Sequence, residues 1–171
     1  MNGKKEYFIK FILKPLTAWA VLVFTDQATK YAVRTFLYPG ETVPLTPFFQ
    51  LTYLTNTGIA FSMFQGANAV FAVFSAAVVA VFAGWFVVNA PRIDALAKAA
   101  LVLIISGATG NLIDRLTSGR VTDFLDFFAG GYHWPSFNAA DSCISIGGVL
   151  LLIWAVKPDR ALGGKNAADN N

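Results

Sequence analysis

Four long apolar stretches divide the chain, and each approaches the roughly 20 residues that a helix needs to cross the hydrocarbon layer of a bilayer. They cover residues 15–37, 67–88, 95–113 and 137–156. The second stretch is uncharged, whereas the first carries Asp26, Lys30 and Arg34. Because these three residues are four apart, they share one helix face and can pair with one another. The pattern predicts a membrane protein with an all-α core of four transmembrane helices.

The first two stretches are joined by residues 38–66, which proline and glycine interrupt too often for a helix. Within this connection, F-F-Q-L-T-Y-L-T-N at 48–56 partly alternates and is rich in aromatic and β-branched residues, which predicts a strand. We expect the chain to turn at 56–58 and to return as a second strand, G-I-A-F-S-M-F. These strands either lie on the lipid or pair with an extended peptide, and the sequence leaves both open. The other long connection, residues 114–136, is expected to form an interfacial loop.

Composition is consistent with one integral membrane unit over residues 1–171. Apolar residues make up 56% of the chain, charged residues only 13%, and the mean hydropathy is +0.55. The net charge of +3 does not indicate nucleic-acid binding, because the cations gather at the ends of the apolar stretches instead of forming a basic face. The basic N-terminal segment lacks a small-residue cleavage site after its apolar core and is expected to be an uncleaved anchor. Cys143 is the only cysteine, so a disulfide framework is excluded.

The charges also predict an orientation in the membrane. Nine of the 13 Lys and Arg residues lie in the two tails and in the turn between the second and third stretches. Since cytoplasmic segments are enriched in Lys and Arg, both termini are predicted to be cytoplasmic. Most acids lie at or near the opposite, outer face: Asp26, Glu41, Asp114, Asp123, Asp126 and Asp141.

Asp123 and Asp141 are the most informative acids. Asp141 begins the last apolar run, and residues 142–156 after it are uncharged. An ionisable group at such a place is by default a functional hypothesis. Asp123 lies on a short polar connection bounded by glycine, so it can fold back over Asp141. Two carboxyls in a poorly hydrated place share one proton, which is the arrangement that aspartic proteases use to activate water.

Asparagines accompany two of these acids. Asn111 stands three residues before Asp114, and Asn138 stands three residues before Asp141. Because residues three apart lie on one helix face, two helices each bring an asparagine and an aspartate to the same membrane face.

Three kinds of chemistry fit a cluster of acids at the outer face. An aspartic peptidase uses one ionised and one protonated carboxyl. A magnesium-dependent enzyme acting on lipid phosphates also uses carboxylates, because hard cations bind oxygen. A proton-coupled transporter places acids near the bilayer midplane, where only Asp26 comes close, and this disfavours transport. Spacing alone does not separate the peptidase from the magnesium enzyme.

Two further polar residues are given lesser roles. Asp126, three residues after Asp123, is a possible ligand for a metal ion, but the simpler interpretation is an exposed surface acid. His133 is the only histidine, which gives little support to a histidine metal site or a Ser-His triad, and it is expected to lie in an interfacial loop.

Five sequence blocks together resemble those of the bacterial lipoprotein signal peptidases, also called signal peptidase II, along nearly the whole chain. The blocks are D-Q-A-T-K at 26–30, N-T-G-I-A-F-S at 56–62, G-N-L-I-D-R at 110–115, V-T-D-F at 121–124 and F-N-A-A-D-S at 137–142. They occur in the order and spacing of that family. The resemblance implies a membrane aspartyl endopeptidase that removes the signal peptide from prolipoproteins, just before a cysteine that carries diacylglycerol.

The resemblance also implies roles for individual residues. By position in the blocks, Asp123 and Asp141 are the expected catalytic pair. Seven residues are expected to support the site or contact the substrate: Asn56, Asn111, Asp114, Arg115, Asn138, Asp26 and Lys30. The family likeness further implies four spans, a small extracytoplasmic β-cradle over residues 38–66, and no required metal or cofactor. The expected location is the bacterial cytoplasmic (inner) membrane with the site at the outer face. Prolipoproteins and membrane lipids are the expected partners of a monomeric enzyme that binds no nucleic acid.

Overall fold

The computed structural model describes residues 9–58 and 66–156, and these form four α-helices and one four-stranded sheet. A π-helical turn, Ile9–Leu13, leads directly into the first helix. The helices are α1 (Lys14–Phe36), α2 (Asn68–Asn89), α3 (Ala95–Ser118) and α4 (Ala139–Ala155). The strands are β1 (Thr42–Thr46), β2 (Phe49–Asn56), β3 (Val121–Ala129) and β4 (Tyr132–His133).

Each predicted apolar stretch corresponds to one helix. Of the helices in the described ranges, α2 and α3 are both long and apolar enough to cross a membrane, and α4 is apolar but shorter. Helix α3 continues five residues beyond the predicted end at 113, because the polar residues of its last turns find partners inside the fold. It stops at Gly119, whose φ of 71° is the left-handed conformation that commonly ends a helix.

Helix α3 is the centre of the helical core, since it packs against the other three helices. Its approach to α4 depends on glycine. A Cβ atom at Gly107 would collide with the carbonyl oxygen of Ala140, and one at Gly147 would lie 2.8 Å from the carbonyl oxygen of Ala100. These two glycines therefore allow the backbones of α3 and α4 to come into contact.

The sheet is antiparallel throughout, with the order β1-β2-β3-β4. Strand β2 confirms the strand predicted at 48–56, but its partners are β1 and β3. The predicted return strand, residues 58–64, lies outside the described residues except for Gly58. The prediction of a loop over 114–136 was wrong, because this segment contains the end of α3 and two strands, of which β3 is nine residues long.

A small apolar cluster fixes the sheet to the helices. Val33 of α1, Tyr53 of β2 and Phe124 of β3 are all buried and pack together. Strand β3 also contacts α3. The sheet therefore rests on the ends of α1 and α3, and β3 lies beside the start of α4.

The outer surfaces of the helices expose many large apolar side chains. Examples are Phe24 on α1, Phe74 and Val81 on α2, and Leu152 on α4, each between 65% and 73% exposed. Soluble monomers rarely expose large continuous apolar patches, so these surfaces fit a hydrocarbon environment.

Candidate active site

Asp141 is held in the first turn of α4 by a reciprocal cap. The side-chain oxygen of Asn138 accepts a hydrogen bond from the backbone N–H of Asp141 at 2.9 Å, and Asp141 Oδ2 accepts one from the backbone N–H of Asn138 at 3.1 Å. The amide of Asn111 on α3 donates to Asp141 Oδ1 at 2.7 Å. Both carboxyl oxygens thus have donors, and the positive end of the helix dipole also favours the ionised carboxylate.

Asp123 reaches the same place from β3 and is only 5% exposed. The amide Nδ2 of Asn138 donates to Asp123 Oδ1 at 2.8 Å, and that of Asn56, at the end of β2, donates to Oδ2 at 3.2 Å. One side chain, Asn138, therefore contacts both acids: its oxygen bonds the backbone of Asp141 and its NH₂ group bonds the carboxyl of Asp123.

The environment of Asp123 favours a bound proton. The pKa of Asp123 is raised to about 7, mainly by burial and to a lesser extent by the neighbouring charge of Asp141. The hydrogen bonds from Asn56 and Asn138 and the charge of Lys30 act in the opposite direction. At neutral pH the Asp123 carboxyl is therefore a mixture of protonated and ionised forms.

Lys30 connects α1 to this pair through Asn111. Its fully buried ammonium lies 2.9 Å from Asp26 Oδ2 and 3.3 Å from Asp114 Oδ2, and it donates to Asn111 Oδ1 at 2.9 Å. An ammonium has three donors and no acceptor, so these contacts use all of its hydrogens. They also hold the amide oxygen of Asn111 towards Lys30, which leaves the NH₂ group to face Asp141.

Asp26 and Asp114 anchor the two segments that carry Asp123 and Asp141. Asp26 Oδ1 accepts the backbone N–H of Ala140 at 2.9 Å, and Asp114 Oδ2 accepts that of Thr122 at 3.1 Å. Ala140 and Thr122 directly precede the two acids in the sequence. The buried carboxylates of α1 and α3 thus position the backbone on which each acid stands.

Both acids face a cavity of about 720 Å³, a volume typical of ligand sites. Helices α2, α3 and α4 and the segment after β4 provide its walls, so much of the lining is apolar. Its polar lining includes five of the predicted site residues: Asn56, Asn111, Arg115, Asp123 and Asp141. The other four, which are Asp26, Lys30, Asp114 and Asn138, lie behind this lining and hold it.

Arg115 is the cation that borders the cavity. One of its terminal nitrogens donates to Ser75 Oγ at 3.4 Å and the other to the carbonyl oxygen of Gly58 at 3.2 Å. Within the described part of the chain, the buried Nε of Arg115 has no hydrogen-bond partner. The guanidinium thus lines the same cavity as the two acids.

Three interpretations made from the sequence need correction. The pairing predicted along α1 holds for Asp26 and Lys30, but Arg34 lies 3.4 Å from Asp114 of α3 instead, because α3 packs against that face of α1. Asp126 is not an exposed acid: it belongs to β3 and is only 4% exposed. His133 belongs to β4, and its Nδ1 lies 2.9 Å from Asp126 Oδ1.

Sequence reasoning also missed two residues of the network. Gln27 donates its amide to Asp26 and to the carbonyl oxygen of Gly110, both at 3.0 Å. Thr122 accepts a hydrogen bond from Arg34 at 3.1 Å through its hydroxyl. Each stands inside a block quoted above, directly beside a predicted site residue, and that adjacency was the available signal.

The described residues contain no group of three or more His, Cys, Asp or Glu side chains arranged to hold a metal ion. The acids of the site pair instead with amides, with Lys30 or with backbone N–H groups.

The fold is that of a class of bacterial membrane enzymes. A bacterial membrane enzyme solved by the in meso method at 2.3 Å aligns with a TM-score of 0.81 at 31% identity, covering 91% of this chain and 94% of that one. A second such structure, at 1.9 Å, gives a TM-score of 0.77 at 32% identity, covering 86% and 96%.

The sequence comparisons narrow this class to one family. The family described as signal peptidase (SPase) II matches residues 18–157. The lipoprotein signal peptidase of Alteromonas mediterranea is 38% identical, over 88% of this chain and 85% of the relative, and that of Azoarcus sp. is 40% identical, over 90% and 87%. The chain therefore belongs to the signal peptidase II family, and it is a membrane-bound peptidase.

Proposed function

We propose that Asp123 and Asp141 are the catalytic pair of an aspartyl endopeptidase that cleaves the signal peptide from prolipoproteins, just before a cysteine that carries diacylglycerol. The observation that carries this proposal is that Asp123 and Asp141 line one cavity and that the amide of Asn138, behind the lining, bonds both residues. The substrate class is supported by the relatives, which are named lipoprotein signal peptidases.

In the proposed mechanism the two acids hold one proton between them. Asp141, with its donors and its place at a helix N-terminus, is the ionised member and takes a proton from water as the water attacks the scissile carbonyl carbon. Asp123, with its pKa raised to about 7, is the protonated member and gives its proton to the carbonyl oxygen. When the C–N bond breaks, the leaving amine takes the proton from Asp141, and the new acid group returns a proton to Asp123.

The remaining predicted residues act on this pair or on the substrate. Asn111 and Lys30 orient the carboxylate of Asp141, and Asn56 steadies Asp123. Arg115 is assigned to the substrate, because its cationic side chain lines the cavity together with the two acids and can bind a peptide carbonyl group. A peptide leaving its helical conformation at the cut has carbonyl groups to satisfy, and an unpaired peptide group in lipid is costly.

The proposal includes a placement in the cytoplasmic membrane. Helices α1 to α4 are the four spans of a single domain, residues 1–171, with both termini in the cytoplasm and the acids at the outer face. The exposed apolar surfaces of α1, α2 and α4 support this placement. A lipid-modified substrate is confined to the bilayer, so it enters the cavity between α2 and α4 at the depth of the acids. One chain contains both acids, so the proposed unit is a monomer in contact with membrane lipids.

The test is to incubate the purified full chain with a diacylglyceryl-modified precursor and to measure the mass of the released peptide. Cleavage before the modified cysteine is expected, and Asp123→Asn and Asp141→Asn should each abolish it while the protein remains folded. Glu41→Gln is the matched control, since this acid is exposed and, among the described residues, its carboxylate accepts a hydrogen bond from a local backbone N–H, that of Tyr38. Full activity in either aspartate variant, or activity that EDTA abolishes and magnesium restores, would refute the proposed chemistry.

A further inference from the structure

A second polar cluster lies on the sheet, outside the pair of acids. Asp126 of β3 is buried, and its carboxylate accepts hydrogen bonds from Gln50 Nε2 at 2.6 Å and from Thr52 Oγ1 at 3.3 Å. His133 of β4 covers it with Nδ1, which lies 2.9 Å from Oδ1 and 3.0 Å from Oδ2. The side chain of His133 is itself 51% exposed, so a surface histidine is bonded to a buried acid.

The position of His133 connects this cluster to the cavity. After His133 the chain runs back along β3 as residues 134–137, which we call the return segment, and then enters the cap of α4 at Asn138. All four residues of the return segment line the cavity that Asp123 and Asp141 face. The contacts that hold the return segment in place therefore determine the shape of one wall of the cavity.

The return segment is bonded to β3 through its two end residues. The N–H of Trp134 donates to the carbonyl oxygen of Phe127 at 2.8 Å, Phe137 exchanges hydrogen bonds with Leu125 at 2.8 and 3.1 Å, and the carbonyl oxygen of Phe137 also accepts one from the N–H of Phe124 at 3.0 Å. Pro135, between these anchors, has no N–H to donate. The bond between Asp126 and His133 adds a side-chain attachment immediately before the first anchor, and the His133 ring also stacks on Phe128 at 5.3 Å between centroids.

We propose that Asp126 and His133 are positioning residues for substrate binding, because their hydrogen bond holds the return segment in place as a wall of the cavity. The inference rests on the proposed function, in which this cavity receives the signal peptide. Neither side chain is among the residues that line the cavity, so both act through the return segment. Asn138 is fixed separately by its cap and by its bond to Asp123, so the chemical step depends much less on this contact than binding does.

The experiment measures KM and kcat of the full chain on the diacylglyceryl-modified precursor. We expect His133→Ala to raise KM about five-fold with kcat within about two-fold of the wild type, because five-fold corresponds to about 1 kcal/mol, the net contribution of a typical hydrogen bond. His133→Asn keeps an N–H donor close to the position of Nδ1 and should restore KM to within about two-fold. Asp126→Ala combined with His133→Ala should raise KM no further than the larger single effect, since both changes remove one interaction.

Tyr132→Ala is the matched control, because Tyr132 is the neighbouring residue of β4 and is 88% exposed. It should leave KM unchanged. The proposal is overturned if His133→Ala leaves KM unchanged, if it lowers kcat alone, or if His133→Asn behaves like His133→Ala. Wild-type cleavage is measured in the same assay: its absence would refute the proposed function, whereas wild-type cleavage with an unaltered KM in His133→Ala would refute only the positioning role.

Discussion

Replacing Asp123 with asparagine should make the protein more stable at alkaline pH while removing its activity. The pKa of Asp123 rises from 3.8 to about 7 on folding. A carboxyl with a raised pKa contributes stability that is fully present below pH 3.8 and is lost as the pH rises through 7, because the unfolded chain gives up its proton first. Three pKa units correspond to at most about 4 kcal/mol. This is the upper limit of the destabilisation that the ionised group causes above pH 7.

Asparagine removes that penalty but introduces a smaller cost. Asn138 and Asn56 both donate hydrogen bonds to Asp123, and an asparagine side chain has only one oxygen to receive them. One donor is left without its acceptor, which costs about 1–3 kcal/mol. The expected gain in unfolding free energy at pH 8 is therefore about 1–3 kcal/mol. At pH 5 only about 1.6 kcal/mol of the penalty is present, which lies within the range of the cost, so the variant should be about as stable as the wild type.

The assay is thermal unfolding of both proteins in detergent micelles at pH 5 and pH 8. The Tm of Asp123→Asn relative to the wild type should rise by roughly 5 °C or more between the two pH values. Glu41→Gln, which changes an exposed acid in the same way, should show no such dependence on pH. An equal difference in Tm at both pH values would mean that Asp123 does not ionise with a raised pKa, and the reasoning would fail.

Three other substitutions test separate parts of the site. Asn56→Ala removes a donor that favours ionised Asp123, so the alkaline limb of the kcat/KM profile, expected near pH 7, should move up by as much as about one pH unit; an unmoved limb would contradict this. Lys30→Met leaves Asp26 without its cation and Asp114 with Arg34 alone, and it should lower the unfolding free energy by about 3–5 kcal/mol, measured as a fall in Tm that Asp26→Asn partly reverses. Gly107→Val forces a side chain against the backbone of α4 and should cost about 1–3 kcal/mol with a parallel loss of cleavage, whereas Gly84→Val, where a Cβ meets nothing within 4 Å, should be neutral in both.

The helices were predictable because each is a long run of apolar residues, and the length of such a run can be recognised from consecutive positions in the sequence. Strand β2 was predictable for a similar reason, since its aromatic and β-branched residues are contiguous. Strand β3 was not, because two of its residues are aspartates and both are buried. Strands tolerate a buried acid only where other segments supply donors, and here the donors on β2 stand as far as 67 and 76 positions away in the sequence. No local pattern reports such partners.

The same limit explains what was found and what was missed in the site. Asp123 and Asp141 stood out because charge is rare in this chain and because the family blocks contain them. The error over Asp126 came from judging an acid by its neighbours in sequence, although its burial depends on Gln50, Thr52 and His133. Likewise, Arg34 is on the predicted face of α1, but only the packing of α3 decides that its partner is Asp114.

Burying two acids side by side is unfavourable, and the arrangement around them explains how the fold tolerates it. Asp26 and Asp114 hold the backbone N–H groups immediately before Asp141 and Asp123. Lys30 lies against both carboxylates and Arg34 pairs with Asp114, so two cations balance the two charges. The backbone of each acid is thus anchored by a salt-bridged group that has no contact with the cavity. Because their backbone is anchored in this way, Asp123 and Asp141 do not need a salt bridge of their own to hold them in place. One of them therefore remains free to exchange a proton. A substitution in α1 that breaks these anchoring contacts should therefore disturb the two acids as severely as a substitution in the cavity, although α1 contributes no residue to the cavity lining.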